Sequence, residues 1–125
     1  MSPCALVIED DAATSYILQQ VLTSFGLKVS SAGDGVKALE KLRNHYYDII
    51  VLDLLLPRVS GVELLEECRQ LDHLKQSPVI ILTAHSRMRS EISLRPNDYF
   101  LLKPVLMHDL HRIIDQALPN MLFIG

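Results

Sequence analysis

The chain is poor in cysteine and carries no strong excess of either charge. Cys4 and Cys68 are its two thiols, with no CxxC and no Cys-to-His spacing. That excludes a zinc ribbon and a disulfide-stapled scaffold, and it fits a reduced compartment. Lys and Arg number 12 against 15 Asp and Glu, for a net charge of -3, so there is no general basic surface for nucleic acid or an anionic membrane. No apolar run approaches the ~20 residues of a membrane helix. The first apolar stretch follows no basic residues and is stopped by Glu9, Asp10 and Asp11, unlike a secretory signal. The expectation is a cytoplasmic protein with no signal peptide, no membrane contact and no direct nucleic-acid contact.

What remains is a 125-residue chain, 49% apolar and 22% charged, enough for one domain that buries roughly two-thirds of its unfolded surface. Strand and helix patterns alternate along it without repeats or long linkers, the pattern of an α/β protein built from stacked βα units. Residues 5–8 form an apolar strand, and Ile17, Leu18, Val21, Leu22 and Phe25 then recur at helical spacing before Gly26, a C-cap. A short strand over 28–31 leads through Asp34-Gly35 to a second helix striped by Val36, Leu39 and Leu42. Residues 49–53 are a third strand, and Val62, Leu64, Leu65, Cys68 and Leu71 outline a third helix after Gly61. Residues 79–82 form a fourth strand ending on Thr83, and 99–102 a fifth ending on Lys103-Pro104. The third and fourth runs are apolar without alternation, as parallel strands covered on both faces are. Leu106, Leu110, Ile113, Ile114 and Ala117 give the last helix its inward face, and Pro119 stops it. Between Thr83 and Tyr99 only Met88, Ile92 and Leu94 can face a core, and Arg95-Pro96 breaks any helix by about residue 93. The fourth helix is therefore expected to be short or irregular.

Asp53 is the most informative residue. It ends a buried strand and precedes a loop containing Pro57 and Gly61, which presents a carboxylate at the mouth of the sheet. Glu9 and Asp10 end the first strand, Thr83 the fourth and Lys103 the fifth. In a parallel sheet all of these share the carboxyl edge. Bare carboxylates about 4 Å apart at a partly buried site repel by on the order of 4 kcal/mol, so a cation is required. A hard, oxygen-seeking ion such as Mg2+ suits the acids, with Lys103 as a second positive charge. The set suits phosphoryl transfer onto a carboxylate, with Asp53 as nucleophile and Thr83 as a hydrogen-bonding hydroxyl.

The ordered segments Val7-Ile8-Glu9-Asp10-Asp11, Ile50-Val51-Leu52-Asp53-Leu54-Leu55-Leu56-Pro57 with Ser60-Gly61, Val79-Ile80-Ile81-Leu82-Thr83-Ala84 and Phe100-Leu101-Leu102-Lys103-Pro104 resemble the receiver domain of two-component response regulators, of the chemotaxis-regulator type. The likeness runs over about residues 4–118. It implies a flavodoxin-like (βα)5 doubly wound fold, a five-stranded parallel sheet in the order 2-1-3-4-5 with helices on both faces. It also implies that Asp53 accepts a phosphoryl group from a sensor histidine kinase or a histidine phosphotransfer protein. Mg2+ would be ligated by Asp10, Asp53 and the backbone carbonyl of Leu55, with Glu9 acting through water. Lys103 would pair with the phosphoryl oxygens and Thr83 would swing toward them. Phe100, three positions before Lys103, would be the aromatic switch, with Tyr99 in that role only if the strand slips by one residue. Such a domain is no enzyme beyond its own phosphorylation and dephosphorylation. It hands its signal to an output partner, a downstream domain or a second copy of itself in a homodimer.

Several positions depart from that pattern. Leu55 and His85, two residues after Asp53 and Thr83, border the path of attacking water in receivers, and Leu55 cannot orient water. Ser60 stands where Asp is frequent. The segment from His85 to Asp98 lacks the small Gly-Ala pair that commonly precedes the fifth strand, which bears on the usual output face. The receiver domain is expected over 1–119, with 120–125 a short apolar tail. Three other classes compete. A receiver-like interaction module working without phosphorylation has no need of all five site residues. A Mg2+-dependent phosphohydrolase usually needs an acid where Leu55 stands. A flavin-binding domain needs a phosphate loop after the first strand, which is missing here.

Overall fold

The computed structural model describes residues 2–119, and the expected tail at 120–125 lies outside them. The elements alternate as the sequence predicts. They are β1 (Cys4–Ile8), α1 (Ala12–Ser24), β2 (Lys28–Ala32), α2 (Gly35–Asn44), β3 (Ile49–Asp53), α3 (Gly61–Gln70), β4 (Val79–Thr83), α4 (Met88–Glu91), β5 (Asp98–Leu102) and α5 (Met107–Ala117). The strands form one parallel sheet in the order β2-β1-β3-β4-β5, the flavodoxin-like order. Every residue of β3 and β4 is buried, because helices cover both faces. Ala38 and Leu42 of α2, Leu64, Leu65 and Cys68 of α3, and Ile92 pack on one face. Leu18, Val21 and Leu22 of α1 and Leu110, Ile113 and Ile114 of α5 pack on the other. No helix among the described residues is long and apolar enough to cross a membrane.

Local chemistry sets the helix ends. Asp11, Asp34 and Ser60 each accept a hydrogen bond from the backbone N–H three residues on, at Thr14, Lys37 and Glu63. These side chains satisfy donors that the first turn of a helix leaves free. Gly26, at φ 89°, takes the left-handed conformation that closes α1. Helix α4 is a single turn with no side-chain cap, as the clustered arginines and Pro96 predict.

Four positions assigned inward by periodicity face solvent: Ile17, Val36, Val62 and Leu106, at 47%, 51%, 36% and 60% exposure. In α2 the buried set is Gly35, Ala38 and Leu42; Leu42 faces in as expected and Leu39 packs partly against the core, but at the start of the helix Gly35 takes the inward place expected of Val36. The cause lies outside the helix. Arg58, at φ 73°, adopts a left-handed conformation that costs a non-glycine residue about 1–2 kcal/mol. Val59 beside it is seated on Gly35, where an added Cβ would lie 2.4 Å from the Val59 Cβ. Gly35 therefore faces in and Val36 out.

Gly61 is tighter still. A Cβ there would lie 2.3 Å from the Leu54 Cα and 2.6 Å from the Asp53 carbonyl oxygen. Its own N–H donates to the Leu54 carbonyl at 3.0 Å, so α3 begins in direct contact with the backbone that carries Asp53. Since backbone cannot rotate away as a side chain can, Gly61→Ala is expected to cost about 3 kcal/mol, at the upper end of overpacking effects. Urea unfolding should show a lower midpoint at unchanged slope; a midpoint equal to wild type would mean the loop yields freely.

Candidate functional site

Backbone hydrogen bonding continues one residue past β1, β3 and β5, and this positions the site. The Glu9 N–H donates to Ala32 O at 3.1 Å, Leu54 N–H to Leu82 O at 2.9 Å and Lys103 N–H to Thr83 O at 2.9 Å. Glu9, Asp53, Thr83 and Lys103 thus project from ladder-held backbone at the carboxyl edge of the sheet, the expected location for chemistry in such folds. Exposure of Glu9, Asp53 and Thr83 is 2%, 3% and 0%, while Asp10 is open to solvent.

Lys103 links the two buried acids. Its Nζ lies 2.7 Å from Glu9 Oε1 and 3.0 Å from Asp53 Oδ2. The other Asp53 oxygen, Oδ1, accepts from the Leu55 N–H at 3.0 Å, which fixes the plane of the carboxylate. Burial foremost, and then the neighbouring Asp53 carboxylate, pushes Glu9 up to about 7 against the pull of Lys103. Burial pulls Lys103 down, but its bonds to Glu9 and Asp53 outweigh that, and its pKa lies above the ordinary lysine value.

One ammonium does not neutralise three carboxylates. Glu9, Asp10 and Asp53 each offer an oxygen, all within 4.8 Å of one another, and Glu9 Oε2 is buried with no hydrogen-bond partner among the described residues. An orphaned carboxylate oxygen in an all-oxygen acidic set fits a hard divalent cation. Thr83 is placed differently. Its Oγ1 accepts from the His85 N–H at 3.1 Å, which leaves the hydroxyl proton to donate.

Register places Phe100 and Tyr99 on opposite faces of the sheet. Ile81 pairs with Phe100 and Thr83 with Leu102, so Phe100 shares the Thr83 face of the sheet. Phe100 packs against the α2 and α3 cluster, whereas Tyr99 packs against the α1 and α5 cluster. The Arg89 guanidinium stands 6.0 Å from the centre of the Phe100 ring. Leu55 and His85 are both exposed beside the site.

Two features escaped the sequence pattern. Gly61 read as a loop glycine but is the close contact behind Asp53. Asp98 did not register at all, yet it is a buried acid at the opposite edge, held by Arg69 and Arg95. The Arg95-Pro96-Asn97-Asp98 run was the available signal, since it sets an arginine three residues before an acid at the start of a strand.

A doubly wound parallel domain with three acids, a hydroxyl and a lysine converging on its carboxyl edge is a receiver-type signalling module. The chain belongs to the response regulator receiver domain family, whose model spans residues 5–115. It is 38% identical over 81 residues to the response regulator ArlR of Staphylococcus aureus, covering 65% of this chain and 36% of that protein. The alignment thus spans about a third of that relative's length. Two solved structures are also similar. One is the receiver domain of a sensor histidine kinase from Pseudomonas aeruginosa with a magnesium ion in the active-site cleft, at TM-score 0.83 and 26% identity, over 96% of this chain and 100% of that one. The other is the response regulator TrrA of Thermotoga maritima in complex with Mg2+ and a beryllium fluoride, at TM-score 0.82 and 29% identity, over 93% and 99%.

Proposed function

We propose that the domain accepts a phosphoryl group on Asp53 from a phosphohistidine of a sensor histidine kinase or phosphotransfer protein. In the transfer an Asp53 oxygen bonds to phosphorus, the phosphorus–nitrogen bond breaks, and the leaving imidazole keeps the electron pair and takes up a proton. The bridge from Lys103 Nζ to Glu9 and Asp53 carries this reading, because it sets a cation where the incoming oxygens must sit. Glu9, Asp10, Asp53 and the Leu55 carbonyl would hold Mg2+, which neutralises phosphoryl oxygens when bound. Lys103 would take another phosphoryl oxygen. Thr83 would donate its hydroxyl proton to a third, and its displacement would be passed to Phe100 on the same sheet face. The domain would catalyse only its own phosphorylation and dephosphorylation.

Intact mass after incubation with Mg2+ and phosphoramidate tests the reading. One added phosphoryl group in the wild type, lost in Asp53→Asn, is the expected result. No addition with any donor would leave an interaction module working without phosphate. Once formed, the aspartyl phosphate should be long-lived, since exposed Leu55 has no polar group to orient water. Leu55→Asn is expected to shorten its lifetime about tenfold, less than the roughly 10²–10⁴-fold of a full general acid or base because an amide only orients the water; an unchanged decay of the phosphorylated mass would count against this role.

The output would leave through the α4, β5 and α5 side. There a groove lined by Arg89, Phe100, Leu102, Pro104 and Leu106 would take a downstream domain, a partner protein or a second copy in a homodimer.

A further inference from the structure

The loop between α4 and β5 is tied down far more firmly than α4 itself. Asp98 opens β5 at the amino edge of the sheet, at the far end from Asp53, and its side chain has no solvent exposure. Its Oδ1 accepts from Arg95 Nη2 at 2.8 Å, and its Oδ2 from Arg95 Nε at 3.1 Å, the Arg95 N–H at 3.0 Å and Arg69 Nη2 at 2.9 Å. The same guanidinium of Arg95 donates to the Lys75 and Ser77 carbonyls at 2.7 and 3.3 Å. Asn97 Nδ2 donates to Gln76 O at 3.0 Å. Arg69, near the end of α3, also donates to the Ser93 carbonyl. Residues 93–98 are thereby fastened to α3 and to the turn before β4.

Residues 84–92 contrast with this. Among the described residues their hydrogen bonds reach only neighbours within the same stretch or Thr83, such as Met88 N–H to His85 O, Arg89 N–H to Ser86 O, Ser90 N–H to Arg87 O and Ser90 Oγ to Arg87 O. Beyond these, Met88 and Ile92 pack against the core and Arg89 stands over Phe100. Such a segment opens locally at low cost, whereas a buried charge fork does not.

We propose that Asp98 is a positioning residue for the conformational switch: with Arg69 and Arg95 it forms a latch that stops rearrangement at Ser93. Along the β4–β5 connection, the backbone rearrangement that follows a phosphoryl group at Thr83 is thereby confined to residues 84–92, while Phe100 responds through its side chain alone. This rests on the phosphoacceptor reading above. Displacement of Thr83 feeds directly into residue 84, runs through the one-turn α4, and meets a fixed point where the Ser93 carbonyl is held by Arg69. The output groove changes shape through Arg89 and Ser86 while β5 keeps its register.

Hydrogen exchange of the full chain, with and without Mg2+ and beryllofluoride, tests this on wild type and Asp98→Asn. Without ligand, Asp98→Asn should raise exchange over 93–98 at least tenfold and leave β3 unchanged; no rise removes the latch whatever the domain's function. With ligand, the wild-type change along the β4–β5 connection, residues 84–98, should fall within 84–92, and that of Asp98→Asn should extend through 93–98. A wild-type response that reaches residues 93–98, or a boundary that does not move in the variant, overturns the proposal. Fluorine NMR reports whether the beryllofluoride complex forms, and its absence in wild type would sink the phosphoacceptor reading and the switch role with it. If Asp98→Asn does not fold, Arg69→Gln keeps the Arg95 fork and frees Ser93, so the same widening is expected there. Phosphoryl uptake by the variants should stay at the wild-type rate, since the latch touches no site residue.

Discussion

Lys103→Met is expected to reduce phosphoryl uptake on Asp53 by about 10²–10³-fold, the usual cost of removing one preorganised charge donor, without weakening Mg2+ binding. The substitution keeps most of the aliphatic stem. It deletes the ammonium at 2.7 and 3.0 Å from the two carboxylates, and no other described cation bonds to either. Two consequences pull in opposite directions. The acids lose the positive charge that holds them together, so a divalent cation meets less repulsion and binds as tightly as before or more so. The phosphoryl oxygens lose the group that would neutralise charge as the donor bond stretches, so transfer slows. A mere supporting strut would impair both. Calorimetry with Mg2+ and a time course of phosphorylated mass separate the cases; uptake within about threefold of wild type would remove Lys103 from the chemistry.

The fold was legible because each of its signals is local. Buried parallel strands leave continuous apolar runs, and β3 and β4 show them. Capping acids mark helix starts, as Asp11 and Asp34 do. The site was legible for the same reason, since Glu9, Asp53, Thr83 and Lys103 each sit at the end of a strand visible in sequence. What could not be read depends on contacts between distant segments. Val36 looked like core until Val59 was found seated on Gly35. Asp98 carries no signal in the sequence pattern because one of its partners, Arg69, lies 29 residues away on another element. Composition gave no hint of the Gly61 contact either, because a glycine required by a neighbour's backbone is spelled the same as one that merely turns.

The pH dependence of stability tests the electrostatics of the site without phosphate or donor. Burial and the adjacent Asp53 raise Glu9 from an ordinary 4.5 to about 7. Below the ordinary value the folded and unfolded chains both carry the proton. Between 4.5 and 7 the folded chain holds a proton that the unfolded chain has released, so stability falls as pH rises through that window and stays low above it. The metal-free protein in chelator should therefore melt at progressively lower temperature from about pH 5 to pH 8. Asp98 and Lys103 do not mimic this. The lowered Asp98 loses its contribution only as pH falls below the carboxylate range, and the raised Lys103 only as pH climbs past the lysine range. Glu9→Gln removes the titrating proton and should flatten the profile. Mg2+ requires the charged carboxylate, so its stabilising effect should be greater at pH 8 than at pH 5.5, with affinity weakening about tenfold per pH unit below the Glu9 pKa. A melting profile as steep in Glu9→Gln as in wild type would place the titrating group elsewhere. A flat wild-type profile would mean that the Lys103 bridge holds Glu9 charged throughout.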